Sequence, residues 1–306
     1  MAVITHTALE TDLRLAAVLS QEIVTLLADR SSMRNSGALI NHGLINGMGS
    51  DTVAIRQAGL DGYDKFASVA DGADLATGQD ITDASASIAV ARYAMRRDLT
   101  DTAEMTGFGT GDISPQRIAV SMVGEAEKLF MELVATAMAS FSATAGASGV
   151  DLSVDDWYDS IRELQKVGNT GQTFALLHPQ QLSDLQGSVR SEAGALQWIQ
   201  ATQDLIAIKG AGFSGTFAGV DIFTHTEVTA TGTTDYNGAM WSTGALGYVE
   251  GSPVASFGDS IRPAGSPLLV EFDRDPSAGL TEIVGSYHVG VAIIQNNMGV
   301  ALTTDY

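Results

Sequence analysis

The chain has 306 residues, with 36 acidic side chains, 16 basic side chains and no cysteine. A chain of this length buries roughly three quarters of its unfolded surface, so its core needs no disulfide bonds. The missing cysteine excludes disulfides, thiolate zinc sites and cysteine nucleophiles together. The net charge of −20 argues against simple basic nucleic-acid binding. The N-terminus does not have the pattern of a signal peptide, and no apolar run reaches the length of a membrane span, so we expect a cytoplasmic protein.

The first predicted element is a helix that begins at the sequence TALE. Thr7 and Glu10 have the spacing of a capping box, in which each side chain satisfies the other's backbone N–H. Apolar residues then recur on one face at helical spacing: Leu9, Leu13, Ala16, Ile23 and Leu27. The glycine-rich segment 37–50, which includes NHGLINGMGSD, indicates a flexible arm and not a packed element.

Residues 51–113 are predicted to form a long extended excursion, because they are rich in Gly and Asp and lack helical periodicity. In ASIAVARYAMRRDLT, apolar and other residues alternate with period two, as in a half-exposed strand. A helix over 85–98 is the alternative interpretation.

The clearest pattern is SPQRIAVSMVGEAEKLFMELVATAMASFSA. Ser114 suits the N-cap of a helix and Pro115 suits its first position. An apolar stripe follows, made of Ile118, Met122, Leu129, Leu133, Ala137 and Phe141 and widened by Val123, Phe130, Val134 and Met138. About 28 helical residues give a rod roughly 40 Å long, which must support other elements.

The second half mixes helices with strands. Ser153 as N-cap, with Asp155 and Asp156 in the first turn, predicts a helix over 153–166. TFALL predicts a strand, a helix should start at Pro179, and GALQWIQATQDL is interpreted as a helix. Later strands are predicted in GVDIFTH, AMWSTGALGYV, PLLVEFD, TEIVGSYHVGVAIIQ and GVALTT. With helices early and strands late, the predicted class is α+β.

No local pattern predicts a catalytic site, a metal site or a cofactor. GAGFSG matches the fingerprint G-x-G-x-x-G, but a β-like stretch follows where a dinucleotide site needs a helix. DLSVDDWYD lacks the spacing of an EF-hand and is interpreted as an acidic helix start. The histidines lack metal-ligand spacing and are His6, His42, His178, His225 and His288.

Two local features carry structural interpretations. His178 precedes Pro179, which disfavours the α region for its predecessor, so LLHPQQL is predicted to be a strand-to-helix corner. ARYAMRRD contains the densest basic cluster, Arg92, Arg96 and Arg97. This cluster could contact a neighbouring subunit or phosphate, and a solvated face is the alternative.

Three stretches carry a resemblance to the major capsid protein of tailed bacteriophages, the Hong Kong 97-like fold. SPQRIAVSMVGEAEKLFMELVATAMASF resembles its spine helix, TFALLHPQQLSDLQ with GFSGTFAGVDIFTH resembles its axial domain, and YHVGVAIIQNNMGVALTT resembles its C-terminal strands. The resemblance implies five regions: an N-terminal arm over 1–50, an extended loop and a strand over 51–113, the spine helix of the peripheral domain over 114–150, the axial domain over 151–265, and C-terminal strands returning to the peripheral domain over 266–306.

The function that this resemblance implies is structural. Copies of the chain are expected to form pentamers and hexamers, to build an icosahedral phage head in the host cytoplasm, and to enclose double-stranded DNA in the virion. The implied partners are a portal and a scaffold or decoration protein. The resemblance implies no association with a membrane and no enzymatic activity of the chain. A long arm and an extended loop suit this role, because they can bury surface against neighbouring copies.

The resemblance also places the arm and the spine helix on the inside of the shell. Residues 1–130 carry 10 basic against 17 acidic side chains, a net charge of −7, whereas residues 131–306 carry 6 against 19, a net charge of −13. A less acidic inner lining would limit repulsion of packaged DNA. The candidates for weak DNA contact are Arg14, Arg30, Arg34, Arg117 and Lys128.

Some members of the family have features that are not expected in this chain. Some carry a cleaved N-terminal scaffolding segment, for which this chain has no room, so a separate scaffold or none is expected. Others join subunits through a Lys–Asn bond; Lys65 and Asn296 have suitable types, but the sequence does not show that they meet, and no crosslink is predicted.

Two alternatives stay open from the sequence. One is an encapsulin-like nanocompartment, which shares the fold but encloses enzymes. The other is a cytoplasmic enzyme whose site is assembled from distant residues, among them Glu125, Glu127, Glu132, His178 and His288.

Overall fold

The computed structural model describes a large part of the chain. The described residues are 33–34, 36–45, 50–58, 71, 83–105, 115–167, 171–191, 198–210, 212–228, 230–231, 235–251, 260–261 and 268–305. The helix predicted to start at Thr7 lies outside them. None of the helices in these residues combines the length and apolar character that crossing a bilayer requires.

The described residues contain helices and strands throughout. The helices are α1 Asp101–Met105, α2 Pro115–Met138, α3 Val154–Lys166, α4 Pro179–Ser191 and α5 Gln203–Lys209, with a short 3-10 turn at Asn296–Met298. The strands are β1 Ile40–Ile45, β2 Thr52–Ala58, β3 Asp83–Ala89, β4 Ala91–Thr100, β5 Ala143–Ala145, β6 Thr173–Leu177, β7 Trp198–Gln200, β8 Phe213–Phe217, β9 Val220–Thr224, β10 Ala230–Thr231, β11 Asp235–Ser242, β12 Leu246–Gly251, β13 Ser260–Ile261, β14 Leu268–Asp275, β15 Leu280–Ile293 and β16 Gly299–Asp305.

The strands form two large sheets and one ribbon. The first sheet has the order β1-β12-β15-β14-β13, and β4 also pairs with β15. The second sheet has the order β5-β16-β11-β6-β9-β8-β7, and β10 pairs with β11. The ribbon is the antiparallel pair of β2 and β3. Their paired residues extend from Thr52 with Ala89 to Ala58 with Asp83. The α+β class predicted from the sequence is confirmed.

Strand β6 of the second sheet is buried on both faces, and period-two alternation divides its side chains between two cores. Phe174 and Leu176 of β6 belong to a core shared with α2 and the first sheet. Ala175 and Leu177 of the same strand point to the opposite face, where the core includes Trp157 of α3 and side chains of α4. TFALL is apolar throughout for this reason.

Helix α2 confirms the predicted rod, although it ends at Met138, before the last residue of the stripe. Its side chains Met122, Val123, Phe130, Val134 and Met138 are fully or almost fully buried. Beyond the helix, Phe141 is still only 4% exposed, so the apolar pattern continues into the core after the helical hydrogen bonds stop.

The predicted start of α3 and the corner at His178 are also confirmed. Ser153 Oγ accepts from the backbone N–H of Asp156, whose side chain accepts from the backbone N–H of Ser153. β6 ends at Leu177 and α4 begins at Pro179. His178 lies between them, and its backbone N–H donates to Gln181 Oε1 at 3.1 Å.

Two sequence predictions were wrong in part. The segment 37–50 was expected to be an unpacked arm, yet Ala38 and Leu39 are buried and β1 pairs with β12 in parallel. GALQWIQATQDL was expected to be helical, yet Trp198–Gln200 form a strand that pairs with β8 and helix α5 begins only at Gln203. In both cases a pairing with a strand distant in sequence overrides local preference.

The two sheets also cross the predicted domain boundaries. β12 falls within the predicted axial region 151–265 but pairs with β15 in the first sheet. β16 falls within the predicted C-terminal region 266–306 but pairs with β11 and β5 in the second sheet. The C-terminal strands are thus shared between both sheets.

Candidate functional site

A buried arginine joins four parts of the chain that are far apart in sequence. Arg34 Nη1 donates to Glu250 Oε1 of β12 at 2.6 Å, and Arg34 Nη2 donates to the hydroxyl of Tyr287 on β15. The same Nη2 lies 3.5 Å from Glu127 Oε2 of α2. We call these four residues the Arg34 cluster. The Arg34 cluster attaches the part of the chain around residue 34 to helix α2 and to the first sheet.

Aromatic rings complete the environment of the guanidinium. The Cζ atom of Arg34 lies 4.2 Å from the ring centroid of Phe130. The Phe130 ring meets Tyr248 edge-on, with centroids 5.3 Å apart and an interplanar angle of 80°. A cation over an aromatic face is attracted by the ring quadrupole, so Phe130 supports the charge where water is excluded.

Burial controls the protonation of the Arg34 cluster. Burial alone would lower the pKa of Arg34, but the combined attraction of Tyr287, Glu250 and Glu127 raises it, so the guanidinium stays charged. Burial raises the pKa of Glu250 above its ordinary value, against the opposing effect of Arg34. Burial also raises the pKa of Tyr287, which keeps its phenol neutral. The guanidinium therefore stays charged and lies between the side chains of Glu250 and Glu127, with the hydroxyl of Tyr287 as a third acceptor.

The end of the ribbon, with the residue that follows it, packs closely on the first sheet at two glycines. A Cβ atom on Gly290 of β15 would lie 2.1 Å from the carbonyl oxygen of Ala89. A Cβ atom on Gly251 of β12 would lie 2.9 Å from the Cβ of His288 and 3.2 Å from Val90 Cγ1. We call Gly290 and Gly251 the glycine seat, because only residues without side chains allow the ribbon to approach so closely.

The structure distributes the candidates for DNA contact unequally. Arg14 and Arg30 lie outside the described residues, and Arg117 lies in α2 with a side chain whose position is not described. Arg34 is 11% exposed and pairs with Glu250 and Glu127 of its own subunit, and contact of this residue with DNA stays a prediction. Lys128 is 58% exposed on α2, 3.7 Å from Glu125, and is open to a partner.

The basic cluster on β4 is partly engaged within the subunit. Arg92 Nη2 donates to Ser286 Oγ at 3.0 Å. Arg96 bonds to Asp98 at 2.6 Å and to Glu282 at 2.7 Å while its side chain remains 52% exposed. Arg97 is exposed. Contact of these three arginines with a neighbouring subunit stays a prediction.

The residues considered for a dispersed enzyme site are not gathered together. His178 stacks on Tyr236 with ring centroids 3.7 Å apart, next to the second sheet. His288 lies on β15, beside Gly251 of the first sheet. Glu127 belongs to the Arg34 cluster, whereas Glu125 and Glu132 are exposed on α2. Among the described residues, no group of three or more potential ligands could hold a metal ion.

The sequence contains one signal for the Arg34 cluster, which was not among the predictions above. Glu127 occupies a position in the helical series Val123, Phe130 and Val134, all of which are buried. A carboxylate on the apolar face of a long helix needs a buried cation, because an unpaired buried charge is very costly. The pattern could have predicted that a partner exists, although not that the partner is Arg34.

The chain matches known proteins in its structure and not in its sequence. No family model and no curated protein matches the chain. Among solved structures, the capsid of Ralstonia phage GP4 matches with a TM-score of 0.60 and 9% identity, covering 91% of this chain and 90% of that one. The capsid of cyanophage P-SCSP1u matches with a TM-score of 0.58 and 15% identity, covering 90% and 89%. The holo-SrpI encapsulin complex from Synechococcus elongatus PCC 7942 matches with a TM-score of 0.59 and 12% identity, covering 87% and 85%.

These likenesses define the class of fold. The chain has the Hong Kong 97-like capsid fold, as its sequence order predicted. The matched structures are phage capsids and an encapsulin complex. At these identities the likeness establishes the fold alone.

Replacing the buried arginine tests the role of the Arg34 cluster. We expect Arg34→Ala to lower the free energy of unfolding by about 3–5 kcal/mol, because two buried carboxylates lose their cation. Urea unfolding of unassembled subunits would measure the change. The matched control is Arg96→Ala, an exposed arginine that also binds two carboxylates, and it should leave the unfolding midpoint nearly unchanged. Equal effects of the two substitutions would contradict a special role for Arg34.

Adding one methyl group tests the glycine seat. We expect Gly290→Ala to cost about 1–3 kcal/mol and to increase hydrogen exchange in β3, because the backbone of Ala89 must move away. Gly187→Ala in α4 is the control, since no atom lies within 4 Å of its added Cβ and helix propensity favours alanine. Unchanged exchange in β3 would show that the ribbon does not depend on this close approach.

Proposed function

We propose that this protein is the structural coat subunit of a tailed bacteriophage head, and that copies of it assemble into an icosahedral shell around double-stranded DNA. The observation that carries the proposal is the shared fold with phage capsid subunits over about nine tenths of both chains. The implied partners are further copies in pentamers and hexamers, a portal, and a scaffold or decoration protein. Its location is then the virion, after assembly in the host cytoplasm.

The ribbon supports an assembling role. β2 pairs with β3 in a sheet of two strands. An isolated two-stranded sheet is marginally stable in water, so a ribbon that projects from a subunit gains stability when another surface covers it. A neighbouring copy supplies such a surface in a shell.

The charge distribution supports the same role. The net charge of −20 keeps assembled particles apart in solution. The basic cluster on β4 retains exposed guanidinium groups, with Arg96 52% exposed, and these can pair with carboxylates of an adjacent acidic subunit.

A second candidate is an encapsulin-like nanocompartment. The likeness to the encapsulin complex of Synechococcus elongatus favours it, because its TM-score of 0.59 lies between the scores of the two phage capsids described above, 0.58 and 0.60. The contents of the particle separate the two functions. Particles isolated from the native source should contain nuclease-protected double-stranded DNA in a phage head, and enzymes in a nanocompartment.

Assembly itself is the first experiment. The protein expressed alone should form closed shells or rings of capsomers, visible by negative-stain electron microscopy and as large species in sedimentation. If it stays small, candidate scaffold protein is added and both measurements are repeated. A subunit that remains a compact monomer with the scaffold present would overturn the coat function.

Lys128 tests the proposed contact with DNA. We expect Lys128→Gln to leave shell formation intact and to reduce the nuclease-protected DNA retained by filled particles, because each lost phosphate contact weakens binding. Lys166→Gln in α3 is the matched control: both lysines have side chains 58% exposed and both pair with a glutamate three residues earlier. A defect in assembly with normal DNA retention would contradict this role of Lys128.

A further inference from the structure

Two histidines lie where β1 and the ribbon meet the rest of the first sheet. His42 of β1 covers Gly247 of β12, so closely that a Cβ atom added to this glycine would lie 2.7 Å from His42 Nε2. His288 of β15 lies beside Gly251 of β12, together with Val90, the residue that follows the ribbon. We call His42 and His288 the attachment histidines. Each ring packs at a position of β12 that has no side chain of its own.

Each attachment histidine has one ring nitrogen that is buried. Within the part of the chain that the structure describes, neither His42 Nε2 nor His288 Nδ1 has a hydrogen-bond partner. His178 and His225 differ, because the Nδ1 atom of each accepts from the backbone N–H two residues later. A neutral imidazole tolerates an unpaired nitrogen at moderate cost, whereas an imidazolium at the same place would be an uncompensated buried charge.

A cation already faces His288. Arg92 of β4 lies directly opposite it in the register of the sheet, and Arg92 Nη2 donates to Ser286 Oγ on the same face at 3.0 Å. Burial, together with this guanidinium, lowers the pKa of His288. Burial lowers the pKa of His42. Both rings are therefore neutral at pH 7.

The acidic groups near these rings do not compensate a proton. Tyr248 and Glu250 of β12 and Tyr287 of β15 point to the opposite face of the first sheet, toward α2 and the Arg34 cluster. On the ribbon side, Asp51 accepts from the backbone N–H of Val90 through its backbone carbonyl, and its side chain is exposed. A proton on either attachment histidine is thus left without a carboxylate among the described residues.

We propose that the attachment histidines make this junction sensitive to acid: protonation of His42 loosens β1 from β12, and protonation of His288 loosens the ribbon from β15. The buried nitrogen accepts a proton only when the strand that covers it moves away and water reaches it. The response is a property of the single subunit and does not depend on the proposed coat function.

The direction of the effect follows from where the proton binds. An imidazole in an unfolded chain has a pKa of about 6.5, and both rings have a lower pKa in the folded chain. The junction is therefore fully stable at pH 7, and its opening constant rises as the pH falls below about 6.5, by up to about tenfold per pH unit for each ring. Glu250 acts in the opposite direction, because burial raises its pKa and a raised pKa favours the folded form in acid.

Hydrogen exchange of the full, unassembled chain at pH 7 and pH 5 tests the proposal, after division by the intrinsic exchange rate at each pH. We expect the opening of β1 and of the ribbon to increase on the order of tenfold at pH 5, while β6 of the second sheet stays closed. His288→Phe should abolish the increase in the ribbon and retain it in β1, and His42→Phe should do the reverse. The matched control is His178→Gln, a half-buried histidine of the other sheet, which should leave both increases in place.

Titration of the unaltered protein needs no substitution and remains decisive if a phenylalanine variant does not fold. The imidazole signals of His42 and His288, assigned by NMR from their contacts with Gly247 and Gly251, should have midpoints below about 6.5. Midpoints at or above this value would overturn the proposal. So would unchanged opening between pH 7 and pH 5, or an increase in the ribbon that His288→Phe retains. All of these readouts come from single chains, so they are separate from success or failure of shell assembly.

Discussion

The desolvated guanidinium of Arg34 is the constraint on which the arrangement of the N-terminal half depends. A buried cation is tolerated only where carboxylates and hydrogen-bond acceptors surround it. Here those groups come from α2, β12 and β15, so the three elements must be in place before the charge is satisfied. The same interaction decides where the chain enters the core, because Met33 and Ala38 are buried on either side of it.

The glycine seat imposes a second constraint, which acts through shape and not through charge. The end of the ribbon can approach the first sheet closely only where Gly290 and Gly251 leave space for Ala89 and Val90. Beyond this contact, β2 and β3 have only each other as pairing partners in the described residues. The ribbon is thus held firmly at one end, and beyond that end its two strands pair only with each other. This arrangement suits an element that reaches a neighbouring subunit. The fold and the proposed coat function are consistent in this respect.

The second sheet connects the two cores of the molecule. β6 is buried on both faces, and its alternating side chains connect the core around α2 with the core around α3 and α4. Asp221 of β9 is 4% exposed, and Gln172, Lys209 and Thr216 all donate to its carboxylate. Satisfied polar groups of this kind hold neighbouring strands in one register. A shell subunit needs such stiffness, because contacts on opposite sides must keep a constant geometry.

The sequence by itself determined the elements whose stability is local. The stripe of α2, the cap at Ser153 and the corner at His178 were predictable because residues within a few positions of one another supply the necessary contacts. The order of these elements was also sufficient to predict the Hong Kong 97-like fold, since chain order survives when identity has fallen to 9–15%. Only the tertiary structure decided that β1 is a packed strand, that Trp198–Gln200 pair with β8, and that Arg34 meets carboxylates of its own subunit. Each of these three features depends on a partner more than ten residues away in the chain. The local sequence pattern does not specify which distant residue that partner is.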